Sequence, residues 1–338
     1  MPAQDKDLPD EEWLKPPVSS MTPPGALLIT QPKAQHTGPS SGLSRPKSHH
    51  IDDDSVVFVH GLGGDSYSTW TRDDTLWIRD LLPTCEYFED ARIMTFGYDA
   101  RAFLHPFARS STGRTFTFAE ALLNDLEDKR TTAAAKKRPI IFMGHSLGGI
   151  VIKSALRHAY ALYSQYGNIL DSTKAIVFFG TPHQGADTAT WAAFLGGLSK
   201  AIRIRNTEVV EELKRWSNPL VELTTTFAEL APRFQITTFF EELATNGILV
   251  VPQGSARIGN ERARGLHADH RGVCKFTELD PNWTPVKGRL EGIAVGIQEE
   301  LAVQLPKMPT VPTIGTVDLG AGFEEQMAQR MERLRSGQ

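Results

Sequence analysis

Ile140–Gly149 reads IIFMGHSLGG, an apolar run that breaks at a serine bracketed by glycines and continues through GIVIKSAL as a helical pattern. Gly144, His145, Ser146, Leu147 and Gly148 form G-x-S-x-G between a strand and a helix. A turn this tight forces the serine into a strained backbone conformation. Side chains two residues on either side would collide with the strand and helix, so glycines are needed there. Ser146 then stands at a helix start, where the dipole favours negative charge developing nearby. The bare pattern arises often by chance, and a structural glycine turn is the competing reading. The flanking strand and helix make Ser146 a candidate nucleophile.

Outward from this turn, short apolar runs alternate with helical patterns. Val56–Val59, Arg92–Phe96, Ile140–Met143, Lys174–Phe179, Gln235–Phe240 and Ile248–Val251 read as strands buried on both faces. Phe118–Arg130 and Leu147–Tyr163 are long enough for crossover helices. The expected fold class is α/β, a mostly parallel sheet covered on both sides. Residues 50–305 form the expected main domain. Within it, residues 186–232 exceed a simple crossover. Trp191, Phe194, Leu195, Leu198 and Ile202 step along one helical face, as do Val209, Leu213 and Trp216. Asn218 and Pro219 read as a cap and first helical residue ahead of Leu220, Leu223, Phe227 and Leu230. These helices either pad the core or form a lid.

The ends differ. Residues 1–50 hold 9 of the 21 prolines and one aromatic, Trp13, so residues 1–49 are expected to be a disordered tail, with Ala26–Thr30 a candidate edge strand. Residues 306–338 read as a linker and a short helix carrying Phe323, Met327 and Met331.

A serine nucleophile needs a base, an acid and donors for the oxyanion. VVFVHGLGG, Val56–Gly64, is a strand running into a glycine-rich loop. No Lys-Ser or Lys-Thr follows the glycines, which argues against a phosphate loop. In the α/β-hydrolase pattern such a loop gives one amide and the residue after the nucleophile the other, here Leu62 and Leu147, with His60 bracing the loop. The base follows late in the chain, which leaves His267 and His270 in GLHADHRGVCKF, with His270 preferred. The acid should lie between Ser146 and His270 at a strand end. Glu241 is the first choice, with Glu242 and Asp187 as alternatives and Asp269 less suited, since adjacent side chains in an extended loop diverge. His145 should point away from the reaction. His183, in FFGTPHQG at Phe178–Gly185, is expected to shape a pocket wall or a turn.

Composition narrows the function classes. The 338 residues are 40% hydrophobic and carry a net charge of −4, so a dedicated nucleic-acid binder is not expected. Only Cys85 and Cys274 are present, which rules out a disulfide scaffold or four-thiolate zinc site and suits a reducing compartment, with cytoplasmic location the default. Cys274 reads as a buried hydrophobe. No apolar run approaches the roughly 20 residues of a membrane helix, and no targeting signal is apparent. Trp70, Trp77, Tyr98, Phe103, His105 and Phe107 line an acyl pocket or, for the tryptophans preferentially, fill core. Arg101, Arg109 and Arg114 are candidates for an acidic headgroup or simply a solvated loop.

Taken in order, HGLGG, GHSLGG, FFGTPHQG and DHRGVCKF resemble α/β-hydrolases related to serine-active-site-containing proteins and glycosylphosphatidylinositol inositol-deacylase-type lipases, more closely their fungal versions. The resemblance spans about residues 50–300. It implies an α/β-hydrolase fold, Ser146 as nucleophile, His270 as base and an acid in FFEE. It also implies hydrolysis of carboxylic esters, lipid-like or of small acyl groups. No cofactor or metal is called for, and peripheral membrane contact is compatible with it. The alternative is an idle module of this fold used for interaction or signalling.

Overall fold

The computed structural model describes residues 26–30, 55–100, 111–183, 188–201, 217–258 and 263–304. In chain order, β1 (Ala26–Thr30) and β2 (Ser55–Val59) precede a small hairpin, β3 (Thr71–Arg72) with β4 (Thr75–Leu76). The short helix α1 (Trp77–Asp80), β5 (Arg92–Gly97), α2 (Ser111–Lys129) and α3 (Ala133–Lys137) follow. Then come β6 (Ile140–His145), α4 (Leu147–Ala161), α5 (Tyr163–Ser172), β7 (Thr173–Phe179) and α6 (Thr188–Ala201). α7 (Ser217–Leu230), β8 (Gln235–Glu241), β9 (Ala263–Leu266) and α8 (Trp283–Gln304) complete the described elements. The chain divides after Glu299, beyond which only the end of α8 is described.

One sheet runs in the order β1-β5-β2-β6-β7-β8-β9, with β1 antiparallel to β5 and every other pair parallel. Ala26–Thr30 is thus an edge strand. The central strands are buried along their lengths, as Val-, Ile- and Phe-rich runs in a parallel sheet must be. On one face Val57, Val59, Phe142, Ile176 and Phe178 join the apolar sides of α2, α4, α6 and α7. On the other, Phe58 and Phe179 meet an aromatic box: Phe58 to Trp70 at 5.0 Å, Trp77 to Phe276 at 5.4 Å and Trp77 to Trp283 at 5.6 Å between ring centroids. The two tryptophans Trp70 and Trp77 are therefore core.

Two sequence readings need correction. Ile248–Val251 is not a strand. Val250 and Val251 are buried, but Ile248 makes only an isolated bridge with Thr245, so the apolar run reflects burial without ladder pairing. The last strand is Ala263–Leu266, whose sequence ARGL has two apolar residues and a single buried one, Leu266, as suits an edge position. α7 begins at Ser217, so Asn218 lies within its first turn and does not cap it. The apolar faces of α6 and α7 belong to the main cluster through Trp191, Leu195, Leu198, Leu220 and Phe227. The Val209–Trp216 helix between them, Phe103, His105, Phe107, Arg101, Arg109, the tail apart from β1 and the segment beyond Gln304 lie outside the described residues.

Because the strands run parallel, β2, β6, β7, β8 and β9 all end at one edge, where HGLGG, Ser146, residues 180–183, Glu241 and the His270 segment emerge. The glycines fix how closely these pieces approach. A Cβ at Gly148 would lie 2.1 Å from the Val59 carbonyl oxygen and 2.4 Å from that of His60. At Gly292, exposed in α8, a Cβ would meet nothing within 4 Å. Gly148→Ala is therefore expected to destabilise by about 1–3 kcal/mol or more in denaturant unfolding, through overpacking against backbone. Gly292→Ala should stabilise by about 0.5–1 kcal/mol. Equal stabilities for the two variants would contradict this packing.

Candidate active site

Ser146 joins β6 to α4 with φ 51° and ψ −119°, a left-handed conformation that a non-glycine residue adopts only when its surroundings impose it. Its N–H donates to the Phe179 carbonyl at 2.9 Å, and its own carbonyl accepts from Gly149 N–H at 3.1 Å and from Thr181 Oγ1 at 3.0 Å. A serine before a helix ordinarily caps it through its hydroxyl. Here no cap bond forms, and Oγ instead lies 2.9 Å from Nε2 of His270. Glycines make the turn passable: a Cβ at Gly144 would lie 2.8 Å from Gly149 Cα, and one at Gly61 2.9 Å from Ser146 Cβ.

His270 follows β9, and its Nδ1 lies 3.2 Å from Oε1 of Glu241, the last residue of β8. A carboxylate oxygen only accepts, so Nδ1 carries the hydrogen and Nε2 is left to accept from the Ser146 hydroxyl. The Glu241 oxygen Oε1 also accepts from Val251 N–H at 2.5 Å. Gly180, at φ +53°, makes room beside the pair, since a Cβ there would lie 3.1 Å from His270 Nδ1 and 3.2 Å from Glu241 Oε2. Ser146, His270 and Glu241 are 1–2% exposed. The other candidates are elsewhere. His267 is exposed, with its N–H donating to Asn282 Oδ1, and Glu242 is exposed with its side chain over Gly265. Asp269 accepts from Gly272 N–H at 2.7 Å within its own turn. Asp187 lies outside the described residues.

The glycine loop after β2 is braced as expected of His60. Its Nδ1 donates to the Gly61 carbonyl at 3.0 Å, and its ring stacks on Tyr98 at 4.3 Å. Tyr98 returns its hydroxyl to the His60 carbonyl at 2.7 Å and its N–H towards His60 Nε2 at 3.4 Å. Leu62 follows Gly61 directly, and Leu147 is the first residue of α4. Residues 178–183 brace the Ser146 turn through the Phe179 carbonyl and Thr181 Oγ1, and the Pro182 carbonyl accepts from Lys153 Nζ at 3.1 Å. His183 is buried edge-on against Phe178 at 4.5 Å. Gly180, Thr181 and Val251 escaped the sequence reading. FFGTPHQG marks the first two, but nothing near Val251 signals its contact with Glu241.

The two thiols take no part: both are buried, and burial pushes Cys85 and Cys274 up to about 12. Among the described residues no helix is long and apolar enough to cross a membrane.

A family model described as "Putative serine esterase (DUF676)" matches residues 48–223. The chain belongs to the DUF676 family. It is also 27% identical over 250 residues to Protein SERAC1 of Bos taurus and 29% identical over 253 residues to that of Danio rerio. Each alignment covers 67% of this chain and 36% of the relative, so the chain spans about a third of those relatives' length. Among solved structures it is similar to the mature lipase BlEst2 of Bacillus licheniformis, at 18% identity and TM-score 0.46, over 78% of this chain and 98% of that one. The esterase Pf2001 of Pyrococcus furiosus matches at 13% identity and TM-score 0.41, over 72% and 82%. The sheet order and its flanking helices make this DUF676 protein an α/β-hydrolase in fold.

Three buried histidines around the DUF676 site resist protonation. Burial lowers His60 and His183 below the ordinary 6.5, and burial with neighbouring His270 takes His145 down to about 3. The unfolded chain takes up protons that these rings refuse, so stability is full above about pH 6.5 and declines below it, by up to about 1.4 kcal/mol per pH unit for each ring. Urea midpoints measured from pH 7.5 to 5.5 should fall below pH 6.5, and His183→Gln should flatten the decline. A level wild-type profile would contradict these assignments.

Proposed function

We propose that this protein is a serine hydrolase that cleaves carboxylic esters through an acyl-enzyme. The observation that carries this reading is the 2.9 Å approach of Ser146 Oγ, on a strained strand-to-helix turn, to His270 Nε2. As the ester carbonyl is attacked, His270 Nε2 takes the hydroxyl proton, and the Oγ–C bond forms while the carbonyl becomes an oxyanion. The amides of Leu62 and Leu147 stabilise that charge, each donor contributing on the order of 3 kcal/mol in a water-excluded site. Collapse of the tetrahedral adduct breaks the C–O bond, and His270 returns its proton to the departing alcohol. Water then repeats the sequence on the acyl-serine and releases the carboxylic acid. Glu241 holds the His270 tautomer and offsets the imidazolium charge in both halves.

The family description supports an esterase, and lipid-like or small acyl esters are the substrates proposed. A second reading, an idle module used for binding, draws on the burial of Ser146 and His270 at 1% and 2% exposure. An ester reaches them only where the covering surface yields. Labelling of intact protein by a fluorophosphonate distinguishes the two: a Ser146-dependent mass shift supports the hydrolase, and a folded, unlabelled chain supports the module.

With p-nitrophenyl esters of graded chain length, Ser146→Ala should lower kcat by about 10⁴-fold or more with thermal unfolding nearly unchanged. Glu241→Gln should lower it by about 10²–10⁴-fold. Wild-type turnover in the Ser146→Ala variant would exclude the proposed nucleophile.

A further inference from the structure

We propose that His145, with Thr245, is a positioning residue that clamps the main chain of His270 so that its ring stays within reach of Ser146. The proposal rests on the hydrolase reading above. His145 Nε2 lies 2.8 Å from the carbonyl oxygen of His270. The N–H of His270 donates to Thr245 Oγ1 at 2.9 Å. His270 stands in a turn beyond the end of β9, so the ladder between β8 and β9 does not hold its peptide groups. Two side chains from distant parts of the sequence hold them instead.

The His145 contact closes a ring of bonds. From the chain at residue 145 it passes through Ser146 to Oγ, across the hydrogen bond to His270 Nε2, through that residue to its carbonyl, and back through the His145 imidazole. A swing of the His270 turn that opened the Ser146 contact would strain the His145 contact as well. A carbonyl only accepts, so the His145 ring carries its hydrogen on Nε2. Burial and the neighbouring His270 keep that ring neutral, at about 3, so it adds no positive charge beside the base. The ring is also wedged on its other side, where a Cβ at Gly61 would lie 3.1 Å from its Nδ1. A plain core histidine would fill the same space, but it need not aim a donor at the main chain of the one residue that must accept the serine proton.

Replacement chemistry separates these roles. The amide nitrogen of glutamine reaches the position of an imidazole Nε2, whereas that of asparagine reaches only Nδ1. On the full chain with p-nitrophenyl butyrate, His145→Gln should keep kcat within about threefold of wild type. His145→Asn should lose about 30- to 100-fold in kcat with KM little changed, the scale of a misplacement near 1 Å. If neither variant folds, Thr245→Val carries the test: a kcat loss of about tenfold, recovered in Thr245→Ser, supports the clamp. Equal kcat for His145→Gln and His145→Asn, a loss confined to KM, or wild-type kcat in Thr245→Val would overturn it while leaving the hydrolase reading intact. A wild-type chain with neither turnover nor fluorophosphonate labelling at Ser146 overturns both.

Discussion

The backbone of Ser146 is the constraint from which the site follows. At φ 51° and ψ −119° the chain leaves β6 and enters α4 through this single residue, which places the hydroxyl at the carboxyl edge of the sheet. Such a conformation persists only where its neighbours overdetermine it. Gly144 and Gly148 admit the crossing, the Phe179 carbonyl takes the Ser146 N–H, and Thr181 takes up its carbonyl. The strain is thus distributed over β2, β6 and β7, all of them buried strands.

The remaining pieces have to be brought to that hydroxyl from separate chain segments, and the structure does so with directed polar contacts over an apolar base. Tyr98 and His60 secure the glycine loop after β2. The segment after that loop also grips the turn that carries His270: Trp77 Nε1 donates to the Cys274 carbonyl at 2.9 Å, and Arg72 pairs with Asp280. The aromatic box beneath, from Trp70 to Trp283, ties the same two segments together. Loops that hold reacting groups are ordinarily the mobile part of a protein. Here side chains fasten them to one another as well as to the sheet.

Much of this was legible in the amino-acid sequence, for an identifiable reason. GHSLGG, HGLGG and the run ending in Glu241 are local patterns, each tied to a strand end, and parallel topology brings strand ends together. The Ala26–Thr30 edge strand could be read from its apolar residues in a polar tail. Ile248–Val251 misled because burial and strand pairing give the same apolar run, and Ala263–Leu266 was missed because an edge strand needs few apolar residues. The contacts of His145, Thr245 and Val251 with the His270–Glu241 pair join residues 10 to 125 positions apart. Nothing in their local sequence distinguishes a histidine that fills space from one that holds a carbonyl.

The central claim is that the Ser146 hydroxyl becomes covalently acylated, and pre-steady-state kinetics with an activated ester tests it most directly. The account predicts a burst of p-nitrophenol approaching one equivalent per chain, with the acyl group recovered after acid quench on the peptide that contains Ser146. Steady turnover without a burst, and with no acyl group on that peptide, would contradict it.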